Sequence, residues 1–311
     1  MAARILDGKS VAMQIRAEVK RDVEEEQKRT GLAPQLAAVL VGDDPASHVY
    51  VRNKIEACRE AGLRSQEIRI AADAPESEVL AAVKRLNDDG DVDGILVQLP
   101  LPRHVNRVKV LLTIDPAKDV DGLHVINAGR LALKLDGLVP CTPAGVIELL
   151  ERQGLAIAGQ HAVIIGRSEI VGRPLAALLL HRDATVTICH SKTRDLEGLA
   201  SEADILIAAI GQPAFVRGEH VRPGAVVIDV GINRVTDLAL VKDVYGADSP
   251  RVAQVQDRGF TLMGDVHWRQ ASEKASWITP VPGGIGPLTI ACLLRNTVRA
   301  ARLRREPAAW A

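Results

Sequence analysis

The stretch His161–Gly166, HAVIIG, followed by RSEIVGRP at 167–174, decides the reading of the fold. A short apolar run closed by glycine reads as a buried strand, and Gly172 opens a helix predicted over Arg173–Arg182. Glycines at a strand–helix turn let the backbone approach a pyrophosphate, whose charge is favoured at the helix N-terminus. The spacing departs from G-x-G-x-x-G, so an ordinary strand–helix turn is the alternative for this loop.

Outward from that turn, apolar runs recur as predicted strands at Ala184–His190, Asp204–Gly211 and Ala225–Gly231, with a helix before them at Thr142–Gln153. The N-terminal half follows the same rhythm. A helix is expected at Val11–Arg29, a buried strand at Gln35–Gly42, and a helix capped by Asp44 with Pro45 at its first position, ending near Ala61. A strand near Ser65–Ile70, a helix from Glu76 to Asn87 and a buried strand at Asp93–Leu99 complete it. This alternation predicts an α/β chain of two α/β domains, the second a Rossmann-type, doubly wound parallel sheet, with a ligand cleft between them. The boundary is expected near Pro140–Pro143. Residues 1–141 form the first domain, completed by a C-terminal helix within 284–305, and 142–283 form the second. Asn233–Arg258, charged and weakly periodic, reads as a surface excursion before a strand near Phe260–Met263, and the tail Glu306–Ala311 as frayed.

Composition narrows the function classes. The 311 residues are 47% hydrophobic and 25% charged, a globular balance. Thirty-nine basic residues offset 39 acidic ones, so charge gives no support for a nucleic-acid or membrane-surface partner. Aromatics are only 2%, so aliphatic side chains must build the cores and each tyrosine stands out. Cys58, Cys141, Cys189 and Cys292 are scattered without a CxxC pair, which argues against a disulfide framework and a zinc site. No apolar run approaches a membrane span, and a reducing cytoplasm is the expected setting.

Several polar residues sit where chemistry is possible. Tyr50 and Lys54 stand four apart in a predicted helix and so share a face. A lysine partly withdrawn from water can exchange protons nearer neutrality; a solvated lysine beside a core-edge tyrosine is the alternative. Gln98 lies near the carboxyl end of a buried strand, where open α/β sheets carry sites, and Pro100 and Pro102 fix the exit path. In Lys118-Asp119-Val120-Asp121-Gly122 the paired acids could bind a metal, but no further ligand cluster accompanies them. Asp121 could equally accept hydrogen bonds from an amino-substituted heterocycle, and a plain turn suffices for Asp119. After the strand Thr185–Cys189 comes His190-Ser191-Lys192-Thr193, without the acid that commonly binds the NAD ribose. Hydroxyl and cationic donors there, with Arg167 from the glycine loop, suit a 2′-phosphate, which favours NADP; a solvated turn is the alternative.

Together the segments VGDDPASHVYVRNK (41–54), GILVQLPLP (94–102), DPAKDVDGLH (115–124), PCTPAGV (140–146), VIIGRSEIVGRPLA (163–176), TVTICHSKT (185–193), DILIAAIGQP (204–213), VVIDVGINR (226–234), GDV (264–266) and ITPVPGGIGPLTIACLLRNT (278–297) resemble the bifunctional methylenetetrahydrofolate dehydrogenase/methenyltetrahydrofolate cyclohydrolase family. They cover most of the chain in the family's order. The resemblance implies NADP-dependent oxidation of 5,10-methylenetetrahydrofolate and hydrolysis of the methenyl product to 10-formyltetrahydrofolate, within the one-carbon metabolism that feeds purine synthesis. Lys54 would assist the proton transfers, Gln98 would hold that lysine, Tyr50 would pack against folate, and Asp121 would hydrogen-bond the pterin. Leu99, Pro100 and the Pro282-Gly283-Gly284 turn would line the substrate site. Gly166, Arg167, Ser168, Gly172, Ser191 and Ile232 would bind NADP, with Arg167 and Ser191 on the 2′-phosphate. No metal is implied. A homodimer follows from the resemblance and from the commonness of two-fold assemblies. The segment 233–261 is longer than usual in the family, and His124-Val125-Ile126, His267, Trp268 and Trp277 depart from its common residues. An NADP dehydrogenase of amino or hydroxy acids would share the Rossmann half without predicting Tyr50, Lys54 and Gln98 together, and a non-catalytic dinucleotide sensor would tolerate loss of the lysine.

Overall fold

The computed structural model of the protein describes residues 3–305; the tail expected to fray, Glu306–Ala311, lies outside the described residues. In chain order the elements begin β1 (Arg4–Ile5), α1 (Gly8–Thr30), β2 (Gln35–Val41), α2 (Pro45–Glu60), β3 (Arg64–Ile70), α3 (Glu76–Asp88), β4 (Gly94–Val97), α4 (Arg107–Thr113), α5 (Val125–Ala132) and α6 (Cys141–Arg152). They continue β5 (His161–Ile165), α7 (Gly172–Leu180), β6 (Thr185–Cys189), α8 (Leu196–Ser201), β7 (Ile205–Ala208), β8 (Val226–Asp229), β9 (Asn233–Val235), α9 (Leu238–Tyr245), α10 (Pro250–Arg258), β10 (Thr261–Met263), α11 (Trp268–Lys274), β11 (Trp277–Ile278) and α12 (Ile285–Arg305).

The chain divides into two compact units. One comprises 12–141 and 289–311, the other 1–11 and 142–288. The first 11 residues thus belong with the second half, whereas sequence reading placed them in the first. The reason is β1, which pairs parallel with β11 (Arg4↔Trp277, Ile5↔Ile278) and extends the larger sheet by a strand too short to show periodicity. Trp277 itself receives the Arg4 guanidinium over its ring, 5.4 Å from the centroid.

In the unit centred on 12–141, β2 is flanked by β3 and β4, all parallel. As the central strand it is buried on both faces, Leu36 to Val41 all being 4% exposed or less, as parallel strands require. Asp44 caps α2 as expected: its carboxylate accepts from Ser47 N at 2.8 Å, with Pro45 at the first helical position. Lys118 is fully buried and donates to the last carbonyls of α3 and its cap, Leu86, Asn87 and Asp89, at 2.7–2.9 Å. A cation there satisfies orphan carbonyls and favours the helix dipole. From α12, Arg304 and Arg305 pair with buried Asp93, and Arg302 with buried Glu26 of α1.

The other unit holds a six-stranded sheet in the order β1-β11-β8-β7-β5-β6, every pairing parallel. After β1, the next strand of this sheet in chain order, β5, has β6 on one side and β7 on the other. The order therefore reverses between β5 and β7, which is the topological switch point where doubly wound sheets bind ligands. The segment read as a surface excursion is folded. β9 and β10 pair as an antiparallel ribbon, and α9 and α10 bury Val241, Val244, Val252 and Val255 with Val235 and Met263 in a small core of their own. Two helices of eight and nine residues show too few turns for periodicity to stand out. They are capped by Asp237, by Ser249 before Pro250, and by Gly259 in the left-handed region.

Candidate active site

Lys54 projects from α2 toward the carboxyl end of β4, where Gln98 follows the strand. Its Nζ donates to Gln98 Oε1 at 3.0 Å, and Gln98 Nε2 donates to the Leu99 carbonyl at 2.6 Å. The amide is thereby oriented: its oxygen must face the amine because its nitrogen is spent on the backbone. Gln98 is buried, Lys54 half-buried and Tyr50 42% exposed. Tyr50 thus offers an aromatic face on the same side of α2 as the amine. The Leu99–Pro100 peptide is cis and turns the chain out of the strand.

Asp121 lies in the turn after β4's neighbour segment, where Ile95 N bonds Lys118 O at 2.7 Å. Burial pushes its carboxyl above the usual aspartate range and nearby Asp119 pushes it further; the Lys54 charge and a Cys141 thiol hydrogen bond oppose this. Asp119 is a structural residue. Its Oδ2 accepts from His124 N and Asn127 Nδ2, both at 2.8 Å, and tethers the start of α5. Gly122 closes the turn at φ +69°, and a Cβ there would meet Val139 C and Pro140 N at 2.6 Å. Asn296 of α12 locks the same place, its Nδ2 donating to the Val120 and Val139 carbonyls at 2.8 Å. Sequence reading missed Asn296 as a support of Asp121. An amide inside an otherwise apolar helical face was the available signal, since a buried amide must find partners. Among the described residues no group of three or more His, Cys, Asp or Glu is placed to hold a metal.

The glycine loop follows β5. Gly166, at φ +129°, approaches so closely that a Cβ would lie 2.2 Å from Ala209 O after β7, and one on Gly172 would lie 2.2 Å from Gly166 O. Ser168 Oγ accepts from Val171 N at 3.2 Å and shapes the turn into α7. These close approaches make the bare-backbone cradle a pyrophosphate needs at a helix N-terminus. The register Ile165↔Cys189 sets Arg167 and Ser191, each two residues past its strand, at the same sheet edge, and both are exposed. Ile232, 42% exposed, stands three residues beyond β8. The residues present therefore fit a phosphorylated dinucleotide.

The Pro282-Gly283-Gly284 turn is held within the same unit. Val281–Pro282 is cis, Gly283 has φ +114°, and Gly284 N bonds Pro280 O at 2.7 Å. Gly8 abuts it, since a Cβ on Gly8 would collide with Gly284 O. Pro282 borders a cavity of about 560 Å³ lined also by Arg251, Gln254, Arg258 and Phe260. No helix among the described residues is long and apolar enough to cross a membrane.

Comparison with known proteins agrees with this architecture. Residues 6–121 match the tetrahydrofolate dehydrogenase/cyclohydrolase catalytic domain, and 140–305 match the NAD(P)-binding domain of the same family. The chain is 50% identical over 305 residues to a bifunctional protein FolD of Koribacter versatilis, covering 98% of this chain and 99% of that one. Among solved structures it resembles the bifunctional FolD methylenetetrahydrofolate dehydrogenase/cyclohydrolase of Campylobacter jejuni, at 43% identity and TM-score 0.87, covering 97% and 100% of the two chains. It also resembles the Trypanosoma brucei enzyme, solved with NADP cofactor and inhibitor, at 37% identity and TM-score 0.88, covering 98% and 99%. Two adjoining family domains in order, and relatives matched end to end, place this chain in the tetrahydrofolate dehydrogenase/cyclohydrolase family.

Proposed function

We propose that the chain oxidises 5,10-methylenetetrahydrofolate with NADP and hydrolyses the methenyl product to 10-formyltetrahydrofolate, with Lys54 as the proton-handling residue of the hydrolysis. The observation that carries this is the Lys54–Gln98 hydrogen bond with Asp121 close enough to feel the lysine's charge. It supplies one amine, one group that aims it and one carboxyl for a pterin edge.

The cradle at Gly166 and Gly172, with Arg167, Ser168, Ser191 and Ile232, would hold the dinucleotide, whose nicotinamide supplies the hydride acceptor when bound. The oxidation needs no strong protein base, because lone pairs on the two folate nitrogens push the hydride off the methylene carbon. The chain's part is orientation. Tyr50, Leu99 and Pro100 pack the folate, and Asp121 accepts from the pterin's amino group. In hydrolysis, water adds to the cationic methenyl carbon and gives up one proton to solvent; the remaining hydroxyl proton then passes to N5 as the bond from that carbon to N5 breaks and the formyl C=O forms. Lys54 sits where it can carry the proton from oxygen to nitrogen, and Gln98 keeps its Nζ on station. One proton is released overall.

The same reading includes a homodimer and a cytoplasmic setting, supported by family membership. Sedimentation at micromolar concentration should show twice the chain mass, and a monomer alone would refute the dimer. The activity test follows absorbance from methylenetetrahydrofolate with NADP and with NAD, then methenyl hydrolysis alone. Lys54→Ala should lower hydrolysis at least 100-fold with folate affinity within a few-fold; unchanged hydrolysis would remove Lys54 from the mechanism. Arg167→Ala should raise the KM for NADP and leave that for NAD unchanged, and equal losses would contradict the 2′-phosphate assignment.

A further inference from the structure

We propose that Asp265 is a positioning residue for the dinucleotide, fixing the wall of the switch-point crevice that faces the glycine loop. The inference rests on the NADP assignment above and names a residue outside the set given there.

Asp265 is 0% exposed and touches three places that border the crevice. Its Oδ2 accepts from Ile210 N at 2.7 Å and Gly211 N at 2.9 Å, the turn that follows β7. Its Oδ1 accepts from Asn233 Nδ2 at 2.9 Å, just beyond Ile232. Its own N–H donates to Asp229 Oδ1 at 2.9 Å, and Asp229 in turn accepts from Gly231 N at 3.0 Å and Val266 N at 2.9 Å. Two carboxylates thus gather five backbone N–H groups and one amide from the ends of β7 and β8 and the start of the segment before α11.

The surrounding glycines show that this packing tolerates nothing larger. A Cβ on Gly231 would lie 2.2 Å from Asp265 Oδ1, and one on Gly264 would lie within the Asp229 carboxylate. Ala209, immediately before the tethered turn, is the residue whose carbonyl Gly166 approaches. The carboxylate therefore holds the Ile210 and Gly211 N–H groups, and with them Gly211's left-handed bend at φ +67°, in one fixed turn beside the glycine loop. Without an acceptor, two consecutive N–H groups of this turn would be left unsatisfied, and the turn would reorient to find water. The hydrolysis uses no dinucleotide and is predicted to be indifferent to this array.

The test compares Asp265→Ala, Asp265→Asn and the native chain in both assays. Asp265→Ala should raise the KM for NADP at least tenfold with methenyl hydrolysis within twofold of native. Asp265→Asn should recover to within about threefold, because its amide oxygen can take both backbone N–H groups while the Asn233 amide turns over. An unchanged KM for NADP in Asp265→Ala, or loss of both activities in the same proportion, would overturn the proposal and leave Asp265 a purely structural residue. Should Asp265→Ala not fold, Asn233→Ala reads the same tether from its other end, with a KM for NADP raised about threefold expected and no change counting against it. Failure of the native chain to reduce NADP would instead refute the cofactor assignment itself.

Discussion

Lys54 is steered by a single side chain, the Gln98 amide, which is itself anchored on the Leu99 carbonyl. An acceptor held this way orients the amine without neutralising it, as a carboxylate in the same place would. Gln98→Ala should therefore slow methenyl hydrolysis about tenfold while leaving the KM for NADP within twofold, measured in the separate assays. Equal loss of both activities would show that Gln98 supports the strand and not the amine. Their placement was legible because its signals are local: a four-residue spacing puts Tyr50 and Lys54 on one helix face, and a glutamine at the end of an apolar strand must have a partner; their roles came only from the family resemblance. Asn296 could be read only as a buried amide in need of unnamed partners, and Asp265 was not legible as a support at all. Asn296 acts on carbonyls more than 150 positions away, and Asp265 on a turn more than 50 positions away, and no local pattern encodes such separations.

At the scale of elements, the long parallel strands and amphipathic helices could be read nearly to their ends, since burial of one stripe or both faces leaves a period in the sequence. The two-residue strands β1 and β11 and the short helices α4, α5, α8 and α11 could not, because none completes enough turns or alternations. The segment from β9 to β10 failed for the same reason. Its attachment is specific. The Arg251 guanidinium lies over the Tyr245 ring, 4.2 Å from the centroid, and donates to the Leu262 and Val281 carbonyls, so one side chain ties α10 to β10 and to the cis Val281–Pro282 turn. Arg251→Ala leaves two carbonyls and a ring without their cation, and should destabilise this unit by about 2 kcal/mol. Chemical denaturation checks this, and an unaltered midpoint would show that the ribbon and its helices hold without the clamp.

For the whole molecule, two buried carboxylates act in opposite directions on stability, in separate pH windows. Glu26 receives Arg29 and Arg302; burial alone would raise its pKa, but the hydrogen bonds and charges of the two arginines together bring it below the ordinary glutamate value. Such a group stabilises the folded chain above its unfolded pKa and loses that contribution as pH falls through the folded one. Asp229 is the reverse case. Burial, helped by the Asp265 charge, pushes it up to about 7 against the pull of its three backbone N–H donors. An unfolded aspartate titrates near 3.9. Between these values the folded chain holds a proton that the unfolded chain has released, so stability declines as pH rises from about 4 to about 7 and is flat beyond either end. At 1.36 kcal/mol per pKa unit the span is as much as ~4 kcal/mol. Asp229→Asn removes the titration while keeping the shape, so its stability minus that of the native chain should climb across that window and level off above neutrality. Urea midpoints taken at half-unit steps from pH 4 to 8 measure the difference directly; a constant offset across the series would mean that Asp229 stays ionised in the fold, and that its N–H donors outweigh its burial.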